Sequence, residues 1–195
     1  NQEYYERCGV YRDTKVLVMV STLRSWKGHE TAIQAMLELN RHTLVIVGVG
    51  PRETHLRRMV EELNLSDRVI FVGFSSDAEN LLAIADVFLQ PSLRHEGVSQ
   101  SLLQAGAMKL PVVASDIGGL NEVIHDGVTG LLVEPGSIND LVSAIQRFEA
   151  NPQLAEDCGT TLHTLVHSQF SQEIMIDRIE TIYRLASSQE IYLDS

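Results

Sequence analysis

Cysteine is nearly absent: the chain holds two in 195 residues, Cys8 and Cys158, far apart and in no Cys-x-x-Cys arrangement. That spacing argues against a disulfide framework or a thiolate metal site, and free thiols in a reducing compartment are the simplest reading, with a pairing between the two left open. Long hydrophobic runs are missing too. The aliphatic stretches, such as 16–20, are strand-sized, well short of the roughly 18 apolar residues of a membrane-spanning helix. The opening NQEYYERCG has no signal-peptide character, so a cytoplasmic location is the default expectation.

Positive charge is scarce, with 15 Lys and Arg against 26 Asp and Glu and a net charge of -11. A large contact with a nucleic-acid backbone is disfavoured, although a few local cations can still hold a small anion. Two familiar motifs fail on one residue each. Gly48-Val49-Gly50-Pro51 lacks the third glycine of a dinucleotide fingerprint, carrying Glu53 there. His163 and His167 stand at i, i+4 spacing, but Thr164 replaces the glutamate of a zinc-protease helix.

What is present is a composition of 44% hydrophobic and 21% charged residues with mean hydropathy +0.00, as in soluble globular proteins. A chain of this length fits one domain and can bury roughly 70% of its unfolded surface. Val-, Ile- and Leu-rich runs of strand length (KVLVMVS, TLVIVG, RVIFVG, DVFLQPS, PVVAS, GLLVEP) alternate with helical patterns, giving six β-α units. Strands so apolar are buried on both faces, so the expected fold is a three-layer, Rossmann-like α/β domain: a six-stranded parallel sheet with helices on both faces. Extra C-terminal helices follow, one opened by Asn151-Pro152 and another capped by Ser171. The expected boundaries are a linker from a longer protein over 1–14, the domain over 15–186 and a frayed tail over 187–195.

Ligands of open parallel sheets bind outside the carboxyl ends of the strands. The loops there read TLRSWKG, GVGP, GFSS, PSLRHEGVS and SDIGG, whereas those at the other edge read NRH, NLSD and MKL. Glycine and unusual charge thus gather on one edge, which suits a phosphate group approached by backbone N-H groups and helix N-termini. Arg24 and Lys27 can neutralise a diphosphate, or be two solvated surface cations. Glu96 would sit awkwardly beside a phosphate but suits sugar hydroxyls. Gln104, roughly 9 Å along the following helix from its N-terminus, is either within reach of a ribose or a plain surface residue. Trp26 either walls the site or packs its ring on a neighbouring helix.

From Val16 to about Tyr183 the chain resembles the C-terminal domain of family 4 glycosyltransferases, retaining enzymes of the two-domain GT-B fold. The resemblance rests on LRSWKG at 23–28, VGVGP at 47–51, DRVIFVGF at 67–74, ADVFLQPS at 85–92, EGVSQSLLQAGA at 96–107, LPVVASDIGGLNEVI at 110–124 and DGVTGLLVEPG at 126–136. It implies a nucleoside-diphosphate sugar as donor, with Arg24 and Lys27 on the diphosphate and Glu96 with the backbone of Gly97, Val98 and Ser99 gripping the sugar and distal phosphate. Gly48 and Gly50 would lie along the donor, and Gly73 and Phe74 would border the base. Two positions depart from the pattern: Gln104 stands where members usually place a ribose-binding glutamate, and Thr22 where many place an arginine. No Asp-x-Asp occurs, so no metal cofactor is expected. The acceptor would bind to an N-terminal domain absent from this chain, which would also make any contact with the inner membrane. A non-catalytic nucleotide-sugar-binding module and a GT-B epimerase are the competing expectations.

Overall fold

The computed structural model describes residue 10, residues 14–94 and residues 96–189. The expected linker therefore lies almost wholly outside the described residues, as does Cys8. Six strands form one sheet: β1 (Lys15–Val20), β2 (His42–Val47), β3 (Val69–Gly73), β4 (Val87–Gln90), β5 (Val112–Ser115) and β6 (Leu131–Val133). Every pairing is parallel, and the spatial order is β3-β2-β1-β4-β5-β6. The expected fold class is the one observed.

Alternation along the strands divides the interior in two. Leu17, Met19, Leu44 and Ile46 face one core, and Val16, Val18, Val45 and Val47 face the other. The first core is closed by α1 (His29–Ala35), α2 (Glu53–Glu62) and α5 (Ile138–Ala150), the second by α3 (Ala78–Leu82), α4 (Gln100–Ala107) and α6 (Pro152–Gln169). Burying each such Leu, Ile or Val side chain contributes about 1.5–3 kcal/mol, which is why strands apolar on both faces need helices on both.

The C-terminal helices start where their caps place them. Asn151 accepts from Leu154 N-H at 3.2 Å with Pro152 in the first turn, and Ser137 does the same for α5 through Asp140 N-H at 3.2 Å. Ser171 accepts from Ile174 N-H at 3.4 Å ahead of α7 (Gln172–Gln189). That helix runs through Gln189, past the 186 boundary expected for the domain, because nothing in its last turns breaks it. Two expected helices are shorter: ENLLAIA is helical only over Ala78–Leu82, and GLNEVI is a 3-10 turn over Gly118–Glu122. Cys158 is buried in α6 as a free thiol. No helix among the described residues is long and apolar enough to cross a membrane.

Candidate functional site

Strand order reverses between β1 and β4, the place where the loops leaving neighbouring strands diverge in open parallel sheets. These are the loops that carry Arg24 and Lys27 on one side and Glu96 on the other. Lys27 Nζ lies 2.6 Å from Glu96 Oε1, with side chains 17% and 7% exposed. The sequence places these groups on one edge; the fold joins them in one ion pair.

Backbone contacts fix the loops. Leu23 N-H donates to Val49 C=O at 3.1 Å, Arg52 N-H to Leu23 C=O at 3.1 Å, and Leu93 N-H to Trp26 C=O at 2.7 Å. Loop one (21–28) is thereby tied to loop two (48–52) and loop four (91–99). Loop five joins through Gly119 N-H, which donates to Glu96 C=O at 2.9 Å. The glycines allow the approach: a Cβ on Gly48 would stand 2.0 Å from Ser21 O, and on Gly50 2.5 Å from Leu23 O. The backbone that Gly48 and Gly50 admit on that side is that of loop one. Gly73 and Gly97 differ, for among the described residues no atom beyond their chain neighbours lies within 4 Å of the Cβ either would carry. Phe74, beside Gly73, is 78% exposed.

Arg24 is exposed, its guanidinium 5.4 Å from the Trp26 ring centroid. Trp26 therefore supports a cation by cation-π attraction, a role the sequence reading did not assign it. Ser99 is the N-cap of α4, yet its hydroxyl makes no bond to the helix N-H groups and bonds Gln90 and Ser101 instead. The first N-H groups of α4 are thus not taken by their cap, and Val98 and Ser99 are half-buried beside them. Gln104 is exposed. Because α4 begins at Gln100, it sits five residues past the cap, roughly 7.5 Å along the axis, closer than the spacing expected from sequence. Gln104→Glu restores a charge-assisted acceptor worth on the order of 1 kcal/mol, so titration calorimetry of a nucleoside diphosphate should show about fivefold tighter binding.

Three groups here escaped the sequence reading. Ser92, fully buried, donates to Glu96 Oε1 at 2.7 Å, and Gln90, also buried, bonds Ser92. His29 is 2% exposed behind loop one, its Nε2 3.0 Å from Ser21 Oγ. Burial, then the Lys27 charge, pushes its pKa from 6.5 down to about 4. The unfolded chain therefore takes up a proton more readily than the folded one, and stability falls as pH drops from about 6.5 towards about 4. The loss is at most about 3 kcal/mol. Urea midpoints at intervals across that window should fall in the parent and fall less steeply in His29→Gln, where His42, whose pKa burial also lowers, still contributes. Among the described residues no three His, Cys, Asp or Glu side chains gather as metal ligands.

Comparison with known proteins agrees with this geometry. Residues 2–162 match the family model described as "Glycosyl transferases group 1". The chain is 30% identical over 188 residues to the alpha-D-kanosaminyltransferase of Streptomyces kanamyceticus, covering 93% of this chain and 48% of that protein. It is 35% identical over 167 residues to a GDP-mannose-dependent phosphatidylinositol monomannoside mannosyltransferase of Mycolicibacterium smegmatis, covering 79% and 43%. The crystal structure of Anabaena HepE in complex with UDP superposes with a TM-score of 0.85 at 24% identity, over 95% of this chain and 52% of that one. The chain thus spans about half the length of these relatives. On the family match and on the shared GT-B architecture, it belongs to the group 1 glycosyltransferases, as a domain corresponding to their C-terminal half.

Proposed function

We propose that this chain is the donor-binding half of a retaining glycosyltransferase. It would move a hexose-type sugar from a nucleoside-diphosphate sugar to a glycan or lipid-linked acceptor, and transfer nothing on its own. The observation that carries the reading is the meeting of Lys27 and Glu96 at the point where strand order reverses, with Arg24 on the same loop as Lys27, over the Trp26 ring. Arg24, Lys27 and the N-terminus of α4 take the diphosphate; Glu96 and the backbone of Gly97 receive the sugar; Phe74 and Gly73 border the base.

In transfer, the bond from the anomeric carbon to the diphosphate oxygen breaks and its electron pair leaves with the diphosphate. The acceptor oxygen bonds that carbon on the vacated face, and its proton passes to the departing phosphate. Negative charge grows on the leaving group, so Arg24, Lys27 and the helix N-terminus stabilise the transition state more than the ground state. No metal is required. The remaining half of the protein supplies the acceptor site and any membrane contact, in the cytoplasm. Its docking surface includes α7, where Met175, Ile176, Ile179, Ile182, Tyr183 and Leu185 are 44–69% exposed.

The test is calorimetric titration of the 195-residue chain with UDP, GDP, UDP-glucose and GDP-mannose. Saturable binding of one base series without sugar transfer is expected; binding of none overturns the reading. The departure at Gln104 favours a second reading, a non-catalytic nucleotide-sugar-binding module, which transfer by the full-length protein eliminates.

A further inference from the structure

We propose that Gln90 is a positioning residue: it directs a one-way hydrogen-bond chain onto Glu96, and so carries the site's preference for a sugar nucleotide over the bare nucleoside diphosphate. This inference rests on the donor reading above. Gln90 ends β4 and is 3% exposed. A buried amide is costly unless bonded, and this one is bonded on both sides. Its Nε2 donates to Ser92 Oγ at 3.2 Å, and its Oε1 accepts from Ser99 Oγ at 3.3 Å.

The direction of the chain follows from proton counting. A hydroxyl has one proton and an ionised carboxylate has none. Ser92 gives its proton to Glu96 Oε1 at 2.7 Å, so it must accept from Gln90, which presents its amide nitrogen there and its oxygen to Ser99. Ser99 spends its proton on that oxygen, so Ser101, 3.0 Å away, is the donor to Ser99. Protons therefore point from Ser101 through Ser99, Gln90 and Ser92 to Glu96, an arrangement in which each bond polarises the next. With the amide reversed, its oxygen would compete with Glu96 for the Ser92 proton.

The consequence lies at the carboxylate. Among the described residues both hydrogen bonds to the Glu96 carboxylate, from Ser92 and from Lys27 at 2.6 Å, end on Oε1. Oε2 is left as the acceptor for sugar hydroxyls, held in place by a group that touches no ligand. The diphosphate contacts, made by Arg24, Lys27 and the start of α4, do not depend on that orientation to the same degree. Gln90 reaches the diphosphate side only through the Ser99 hydroxyl at the start of α4, so its loss is felt more by the sugar than by the diphosphate.

The experiment reads the affinity ratio of UDP-glucose to UDP, or of GDP-mannose to GDP, in the 195-residue chain and its Gln90 variants. In Gln90→Leu, diphosphate affinity should stay within about twofold while sugar-nucleotide affinity falls about tenfold. Gln90→Glu is isosteric and separates polarity from packing. Burial and the nearby Glu96 carboxylate raise the pKa of a carboxyl at this position: ionised at the higher pH, it accepts from both serines and draws the Ser92 proton away from Glu96; protonated at the lower pH, it donates and accepts as glutamine does. The terminal phosphate of a free nucleoside diphosphate titrates at about pH 6 whereas a sugar nucleotide has no such proton, so the ratio is read against the parent's at the same pH; on that scale it should fall at the higher pH and recover at the lower. Among the described residues the charged groups bonded to the hydrogen-bond chain are Glu96 and Lys27, with His29 behind loop one neutral across this range. An equal loss for both ligands, an unchanged ratio, or a pH-independent ratio in Gln90→Glu overturns the proposal. If Gln90→Leu does not fold, Ser92→Ala, which cuts the chain at one link, must reproduce the selective loss. If the parent binds none of the four nucleotides, the donor reading has failed instead. The directed chain is then judged by NMR: a slowly exchanging Gln90 amide that becomes fast in Ser92→Ala upholds it, and an amide already fast in the parent overturns it.

Discussion

Replacing both loop-one cations, Arg24→Ala with Lys27→Ala, should weaken nucleoside-diphosphate binding at least about 100-fold. Each charge-assisted contact to phosphate contributes about 1.5–3 kcal/mol, so the pair supplies about 3–6 kcal/mol, or two to four decades of affinity. The two losses differ in kind. Arg24 is exposed over the Trp26 ring, so its removal takes away a ligand contact and little else. Lys27 is paired with Glu96, whose side chain is only 7% exposed, and its removal strands that carboxylate beside an incoming anion. Adding Glu96→Gln to Lys27→Ala should therefore recover part of the diphosphate affinity while leaving the sugar contribution lost. Unaltered calorimetric binding in the double variant would show that the diphosphate lies elsewhere.

The largest effect on stability is expected at Gly28, which joins the 3-10 turn of loop one to α1. Its φ is +74°, and an added Cβ would stand 1.8 Å from Pro91 O and 2.6 Å from the Pro91 carbonyl carbon. Backbone cannot yield there as a side-chain tip can, so Gly28→Ala must push loops one and four apart. A cost on the order of 3–5 kcal/mol follows, a large part of the 5–15 kcal/mol that holds a typical domain folded. Gly73→Ala is the internal control. Its φ of +79° carries similar left-handed strain, but nothing lies within 4 Å of the added atom, so only about 1–2 kcal/mol is at stake. Urea denaturation separates the two, and equal losses would mean that strain, not collision, makes Gly28 indispensable.

The contrast between these glycines also marks how far the sequence could be read. Six strands were legible because each is a run of Val, Ile and Leu between turn residues, and the ligand edge because glycine and charge gather in the loops that follow them. The strand order was not legible: each β-α unit says that the next strand is parallel, but not that β1 lies between β2 and β4. That order makes Lys27 and Glu96 neighbours across 69 residues. Gln90 and Ser92 were missed because periodicity gives a polar residue at a strand end no distinguishing mark. Only their burial, and the direction of their hydrogen bonds, shows what they hold. Nor does the sequence show that the missing side chains of Gly48 and Gly50 leave room for the backbone of loop one.

The ties among loops one, two, four and five bear on the thermodynamics of binding. Fixing the backbone of one free residue costs about 1–2 kcal/mol of conformational entropy, so a loose loop of several residues would forfeit much of what it gained on closing over a nucleotide. Here the Leu23, Arg52, Leu93 and Gly119 hydrogen bonds have met that cost during folding. Affinity can then be adjusted one side chain at a time, without re-ordering the loops that carry it.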